Sequence, residues 1–149
     1  MKVAILGKLQ SKLYAPFWEK DWEIWGCNKH IDFDILPRYT RWFDIHRNPQ
    51  QYPEIPQDKL ILRDEKFIEW CKEQLDGNYI NSSFAYMMMY ALKEGFTEIS
   101  LYGCGFYSED EIRKKQKENV RELIFYLKGK GTKVYSFEKS LTEEYKVYG

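Results

Sequence analysis

The sequence has no excess charge of either sign, since its 149 residues contain 23 lysines and arginines and 23 aspartates and glutamates. General affinity for nucleic acid usually depends on a basic excess, so that class of protein is not indicated. The chain has no apolar run of the roughly 18 residues that span a bilayer. The apolar run in MKVAILGKLQSK is too short for a signal peptide. We therefore expect a cytoplasmic protein without a membrane segment.

Cysteine and histidine are scarce, with three and two residues. Cys27, Cys71 and Cys104 are far apart and form no CxxC pair, which favours reduced, mostly buried thiols over disulfides or a zinc site. The adjacent carboxylates Glu109 and Asp110 are better explained as negative charge at a helix N-terminus than as metal ligands. The sequence thus indicates no metal and no cofactor.

Hydrophobic residues are abundant, at 44% of the chain, which predicts one folded domain spanning residues 1–149. Strands are predicted at 2–6, 22–28, 40–46, 59–62, 98–103 and 132–137. Helices are predicted at 64–75, from 81–83 to Gly95, at 108–129 and at 140–146. This alternation predicts a single Rossmann-like α/β domain, with a mostly parallel sheet and helices on both faces.

Three of the predicted helices carry apolar residues at helical spacing, which indicates a buried face. In the helix at 64–75 these residues are Phe67, Ile68, Cys71 and Leu75. In the helix that ends at Gly95 they are Phe84, Met87, Met88, Ala91 and Leu92. In the helix at 108–129 they are Ile112, Val120, Leu123 and Leu127, and Ser108 and Glu111 have the spacing of a capping box at its start.

Ligands of open parallel sheets bind outside the carboxyl ends of the strands, so the residues that follow each strand are the candidates. GKLQS follows the first strand, where Gly7 would allow close backbone approach and Lys8 or Ser11 could meet a phosphate. The segment matches neither GxGxxG nor a P-loop, and a plain strand-to-loop turn explains it as well. Asn28 follows the second strand and could read a base or ribose edge, or simply tolerate turn geometry.

His46 and Asp44 lie two residues apart near the end of the third strand. Histidine titrates near neutral pH, so His46 is the candidate general base, and a neighbouring carboxylate could fix its tautomer. Two strand residues rise by about 6.6 Å, so the spacing permits direct bonding without requiring it. His30 lies in a loop, for which we favour a structural role.

Asn81, Ser82 and Ser83 stand directly before an apolar helix. Simple capping needs only one of these residues, and no acidic residue follows to complete a capping box. An open helix N-terminus favours an anion by about 0.3–1 kcal/mol. The sequence therefore favours a ligand at this helix end, with routine capping as the alternative.

The stretch YINSSFAYMMMYALKEGFTEISLYGCGFY resembles one in bacterial lipooligosaccharide sialyltransferases that runs I-T-S-G, an apolar helix, then A-x-x-x-G-Y/F-x-E-I-x-L-x-G-x-D-F-Y. A similar stretch occurs in MptE-like Rossmann proteins and in short proteins of phage and prophage type. ILGKLQSKL stands where those sialyltransferases have a G-N-G-P-S-L loop, and EIWGCNKH where they have a strand ending in C-N-x-F. The three motifs occur in the same order.

The resemblance implies a nucleotide site for a ligand of the CMP-sugar type. Gly7 and Ser11 would approach the phosphate, and Asn28 the nucleoside. At the helix start, Asn81 and Ser82 would meet the phosphate or the sugar.

Other positions of the same motifs both match the family and depart from it. Tyr107 falls on a family tyrosine placed near the leaving phosphate. Gly105 stands where the family has the aspartate of G-x-D, and Lys8 replaces an asparagine of the first loop. The family's catalytic histidine lies in a later lid region, whereas this chain has no histidine after His46.

The leading functional hypothesis is binding of a nucleotide or nucleotide sugar, with a glycosyltransferase-like transfer in which His46, held by Asp44, deprotonates the acceptor. The alternative is a phage-type protein that sequesters or senses a nucleotide without turnover. A third reading is an interaction domain with a decayed site, in which some of the five tryptophans and twelve tyrosines cover a homo-oligomer interface.

Overall fold

The computed structural model describes residues 1–28, 35–77, 80–106 and 110–142. His30, Tyr107, Ser108 and most of the helix expected at 140–146 lie outside these ranges. Within them, the strands are β1 (Lys2–Leu6), β2 (Trp22–Cys27), β3 (Arg41–Asp44), β4 (Leu60–Leu62), β5 (Glu98–Tyr102) and β6 (Lys133–Ser136). The α-helices of the same ranges are α1 (Glu65–Gln74), α2 (Ser83–Lys93) and α3 (Glu111–Gly129). Short 3-10 helices cover Gln10–Tyr14 and Lys139–Leu141.

The six strands form one parallel sheet in the order β4-β3-β2-β1-β5-β6. The predicted Rossmann-like α/β fold is therefore confirmed. Four strands, namely β2, β3, β5 and β6, are shorter than predicted at their carboxyl ends. Strand β2 ends at Cys27 because Asn28 adopts a left-handed φ of 59°, which an extended strand does not accommodate. Strand β3 ends at Asp44 rather than His46.

Alternate residues of β1 face opposite sides of the sheet. Val3 and Ile5 pack in the core formed with the three α-helices, whereas Ala4 and Leu6 pack on the other side with Phe17. The general rule of right-handed crossovers predicts this division, because successive strands step outward from β1 first in one direction and then in the other. Within the described ranges the three α-helices thus cover one face, whereas the 3-10 helix at 10–14 and neighbouring loops cover the other.

Helix α2 is buried on more than the predicted face. Tyr86 and Met89 are fully buried together with Met87, Met88 and Ala91. The helix packs on β1 and β3 and also contacts α3, so it has little solvent-facing surface and needs apolar residues nearly all round. Among the described residues, no helix is both long and apolar enough to cross a membrane.

The start of α3 differs from the prediction in two ways. Its N-cap is Asp110 in place of the predicted Ser108. Oδ1 of Asp110 accepts a hydrogen bond from the backbone N–H of Ile112 at 2.7 Å, and the helix begins at Glu111. Val120, Leu123 and Leu127 are buried as expected, but the assignment of Ile112 to the buried stripe is wrong, because its side chain is 67% exposed. The first turn of α3 borders a cavity instead of the sheet.

Candidate functional site

A cavity of about 690 Å³ lies at the carboxyl ends of the central strands. Its walls come from the segments after β1, β2, β3 and β5 and from the first turns of α2 and α3. The lining residues are Lys8, Leu9, Cys27, Asn28, His46, Ser82, Ser83, Phe84, Gly103, Gly105, Phe106, Asp110, Ile112, Arg113 and Gln116. This is the position in which open parallel sheets bind ligands, and the size is typical of small-molecule sites.

The start of α2 forms one wall of the cavity. Ser82 is the N-cap, and its Oγ accepts a hydrogen bond from the backbone N–H of Ala85 at 3.1 Å, so capping accounts for this serine. Ser83 does not serve as the cap. Its Oγ instead accepts a long hydrogen bond from Asn28 Nδ2 at 3.4 Å.

The two helix starts at the cavity differ in charge. The first turn of α2 contains no acidic residue, whereas α3 begins with Asp110 and Glu111. Protein carboxylates thus complement the positive end of the α3 dipole but not that of α2. The free backbone N–H groups of α2 favour an anion from outside the chain.

Asn28 is a turn residue, and it also has an unpaired amide oxygen. Its φ of 59° makes it a turn residue, and its backbone is held by bonds to Phe43 and Trp42. The N–H of Asn28 donates to Phe43 O at 2.9 Å, and its carbonyl accepts from Trp42 Nε1 at 2.9 Å. Its amide Oδ1 is buried without a hydrogen-bond partner. A buried acceptor of this kind is costly to leave unpaired, so it suits a donor group on a ligand.

Asp44 is a buried carboxylate with a full set of hydrogen bonds, and its side chain is 1% exposed. Oδ1 accepts from the backbone N–H of His46 at 3.1 Å and lies 2.7 Å from His46 Nδ1. Oδ2 accepts from the Tyr52 hydroxyl at 2.7 Å and from the backbone N–H of Gln50 at 3.2 Å. Burial raises the pKa of Asp44, but the bonds from Tyr52, His46 and Gln50 outweigh it, and the pKa lies below its ordinary value. Asp44 is therefore ionised at neutral pH.

The ionised carboxylate fixes the orientation of His46. Because Asp44 Oδ1 can only accept, Nδ1 of His46 carries the proton, and the lone pair of neutral imidazole is on Nε2. The His46 side chain is 64% exposed and lines the cavity. This is the tautomer and position that a general base requires.

Gly7 and Ser11, which the sequence assigned to a phosphate, do not line the cavity. Gly7 donates its N–H to Tyr102 O at 2.7 Å, and a Cβ at this position would be 2.2 Å from the carbonyl oxygen of Gly103. The missing side chain therefore permits close packing of two backbone segments. Ser11 Oγ donates to the Glu138 carboxylate. Of GKLQS, the cavity is lined by the exposed Lys8 and by Leu9.

Asn81 is tied to α3 and lies beside the main cavity. Its Nδ2 donates to Lys115 O at 3.2 Å, and its carbonyl accepts from Gln116 Nε2 at 3.1 Å. Its Oδ1 is buried without a hydrogen-bond partner. Asn81 lines a smaller adjoining cavity of about 400 Å³.

Several cavity residues were not identified from the sequence. Arg113 and Gln116 lie one turn apart on α3, and Arg113 Nη1 donates to Gln116 Oε1 at 3.0 Å. Phe84 and Phe106 form an apolar wall, with their rings edge to face at 5.6 Å. The sequence did contain one signal for Arg113 and Gln116. Helix α3 follows β5 directly, so its first turns lie at the same sheet edge as the start of α2. Among the described residues, no group of three or more side chains could hold a metal ion.

The open parallel sheet, with a cavity at its carboxyl edge, defines a Rossmann-like α/β protein. No protein-family model matches the chain, and comparisons with curated proteins and with solved structures found no match either. The resemblance to the sialyltransferase and MptE-like group thus stays a prediction from its motifs.

Proposed function

We propose that the chain binds a nucleotide or nucleotide sugar in the main cavity and uses His46 as the base of a glycosyltransferase-like transfer. One observation supports this most strongly. The α2 N-terminus, the Asn28 amide and the Asp44–His46 pair come from separate segments and meet at one cavity of about 690 Å³. Each of these three groups suits a different part of the proposed ligand or its reaction.

The phosphate fits the start of α2, where backbone N–H groups and Ser83 lie without a protein carboxylate in the first turn. Lys8 and Arg113 add positive charge to the same cavity. The nucleoside fits between the amide of Asn28 and the apolar wall at Phe84.

In the proposed transfer, Nε2 of His46 takes the proton of an acceptor hydroxyl. The acceptor oxygen forms a bond to the anomeric carbon of the sugar, and the bond from that carbon to the phosphate oxygen breaks. The electron pair stays on the departing nucleotide phosphate, whose charge the α2 N-terminus stabilises.

A second candidate is binding without turnover. It is favoured by the scarcity of acids in the cavity, since Asp110 is the one carboxylate among its described lining residues and caps α3. Gly105 lines the cavity where the similar family has an aspartate. Such a site would hold a nucleotide without protonating a leaving group.

The binding test is a thermal-shift panel of CMP, CDP, UMP, UDP, GDP, AMP, ADP, NAD and common nucleotide sugars at millimolar concentration. A ligand at about 100 times its Kd adds about 2.7 kcal/mol to stability, which is several degrees. Ser83→Ala should reduce the ligand-induced shift, because Ser83 lines the cavity without capping α2. Ser11→Ala is the matched control, because this serine bonds to Glu138 outside the cavity.

The catalytic test is 31P NMR of the selected nucleotide sugar with and without sugar acceptors. Transfer or hydrolysis that His46→Gln abolishes while nucleotide binding remains would support the transferase. Binding without turnover in wild type and variant alike would favour the second candidate. A flat panel with every nucleotide would refute both.

A further inference from the structure

The smaller cavity of about 400 Å³ adjoins the main one, and His46, Ser82, Ser83 and Gln116 line both. His46 therefore stands at the boundary between two spaces. A group-transfer enzyme needs such an arrangement, because its base must reach an acceptor while a donor occupies the neighbouring cavity.

The smaller cavity is basic where the main one is mixed. Arg47 and Arg63 line it, and none of its described lining residues is a carboxylate. Arg47 makes no hydrogen bond or salt bridge within the described part of the chain, although it lies close enough to Glu65 to lower the pKa of that carboxyl. An arginine without such a partner at a cavity wall suits an external anion.

Among the described residues, Arg63 has one competing partner. Its Nε lies 2.5 Å from Glu65 Oε1, and Nη2 lies 3.5 Å from Oε2, which leaves Nη1 unengaged by this pair. The Glu65 side chain is 71% exposed. Exposed ion pairs of this kind contribute only about 0.2–1 kcal/mol, so an anionic ligand can compete for Arg63.

The interior of the cavity offers apolar surface and one buried hydroxyl. Ile45, Ile68 and Ile80 line it together with Tyr86, whose side chain is fully buried. The Tyr86 hydroxyl accepts the backbone N–H of Asp64 at 3.2 Å, and this is its one hydrogen bond among the described residues. Its proton is therefore available to a ligand.

We propose that the smaller cavity binds a second substrate that carries a phosphate or carboxylate group, with Arg47 and Arg63 holding that group. Its role as the acceptor site rests on the proposed transfer. The isoleucines contact the body of this substrate, and a hydroxyl held beside His46 would be the one that loses its proton.

The test uses three sugars of matched shape, namely glucose, glucuronate and glucose 6-phosphate, titrated at low salt into protein labelled with 15N-arginine. We expect the Nε–H signals of Arg47 and Arg63 to shift with one or both anionic sugars, which should bind at least tenfold more tightly than glucose. The better of the two identifies carboxylate or phosphate as the recognised group. The Arg47→Gln/Arg63→Gln variant should bind that sugar at least tenfold more weakly.

Lys128→Gln/Lys133→Gln is the matched control, because it removes the same charge from exposed positions outside both cavities and should bind like wild type. Circular dichroism verifies that both double variants fold. Equal binding of all three sugars, or undiminished binding by the double arginine variant, would overturn the proposal.

Nucleotide binding measured on the same proteins separates this proposal from the proposed function. The double arginine variant should keep the nucleotide-induced thermal shift that Ser83→Ala reduces. If nucleotides fail to bind while the anionic sugar binds through Arg47 and Arg63, the proposed function is wrong and the anion subsite stands. If nucleotides bind and the anionic sugars do not, the reverse holds.

Discussion

The buried carboxylate of Asp44 allows a quantitative test of how the site is built, through Asp44→Asn. Each carboxylate oxygen accepts one bond from a backbone N–H and one from a side chain. In asparagine an NH2 group replaces one of these two oxygens, and it cannot accept the two hydrogen bonds that this oxygen accepted. The side-chain donor of the lost pair can adapt, since Tyr52 can rotate its hydroxyl and His46 can exchange tautomer. The backbone N–H of His46 or Gln50 cannot adapt, so at least one partly buried donor loses its acceptor.

The expected loss of stability follows from that single donor. A hydrogen bond to a charged group contributes about 1.5–3 kcal/mol, and leaving a buried donor unpaired costs about 1–3 kcal/mol. We expect Asp44→Asn to lower the free energy of unfolding by about 2–4 kcal/mol at pH 7. For a chain of this size the corresponding fall in Tm is roughly 5–15 °C.

The pH dependence provides a second signature of the same group. Burial raises the pKa of Asp44, and its hydrogen bonds lower it by more, so the folded-state pKa is below the ordinary value. Such a carboxylate contributes stability above its unfolded-state pKa and loses that contribution as pH falls through the folded-state pKa. The difference between wild type and Asp44→Asn should be complete at pH 7 and shrink below about pH 4.

Urea unfolding followed by tryptophan fluorescence at pH 7, 5, 4 and 3 measures both effects. Asp58→Asn, at an exposed position, is the matched control and should stay within about 0.5 kcal/mol of wild type. An Asp44→Asn variant equally close to wild type at pH 7, or a deficit independent of pH, would contradict this expectation.

Three further predictions concern packing, capping and thiol chemistry. Gly7→Ala should destabilise the fold by several kcal/mol or prevent expression, because its Cβ would be 2.2 Å from a backbone oxygen. The control Gly129→Ala in α3 has open space and should be neutral or slightly stabilising, so equal urea midpoints of the two variants would contradict the prediction. Ser82→Ala should cost about 0.5–2 kcal/mol in urea unfolding through loss of the bond to Ala85 N–H, and an unchanged midpoint would argue against the cap. The three cysteines are free and buried, and burial raises the pKa of each thiol. A thiol reagent at pH 8 should therefore modify them only after unfolding, and rapid labelling of the native protein would disprove this prediction.

Most of the fold could be predicted because its signals are local. Short apolar runs followed by glycine or asparagine indicated the strands, and apolar residues at helical spacing indicated the helices. Errors occurred where tertiary position decides the outcome. Ile112 shares its spacing with the buried residues of α3, but the first turn of that helix borders a cavity, and sequence periodicity contains no information on where a helix passes the sheet edge.

The candidate site was predictable in position but not in detail. Because ligands of parallel sheets bind at the carboxyl edge, Asn28, His46, Ser82 and Ser83 could be selected, and all four line the main cavity. Gly7 follows a strand in the same way, yet the space beside it is filled by backbone of a distant segment. A sequence shows that a position requires glycine without showing whether a ligand or the chain itself approaches it.

The energetic cost of burying Asp44 bears on the role of the Asp44–His46 pair, in addition to the position of the pair at the sheet edge. Burying an ionised carboxylate is expensive, and an apolar residue in its place is often at least as stable. Oδ2 holds the following loop through Gln50 and Tyr52. Oδ1 accepts the backbone N–H of His46 and also fixes its ring, which is 64% exposed and therefore adds little to the core. Holding an exposed imidazole in one tautomer contributes little to folding, but it places a basic nitrogen where two cavities meet. The bond to the His46 ring thus supports the proposed proton transfer, whereas the other three hydrogen bonds of Asp44 stabilise the fold.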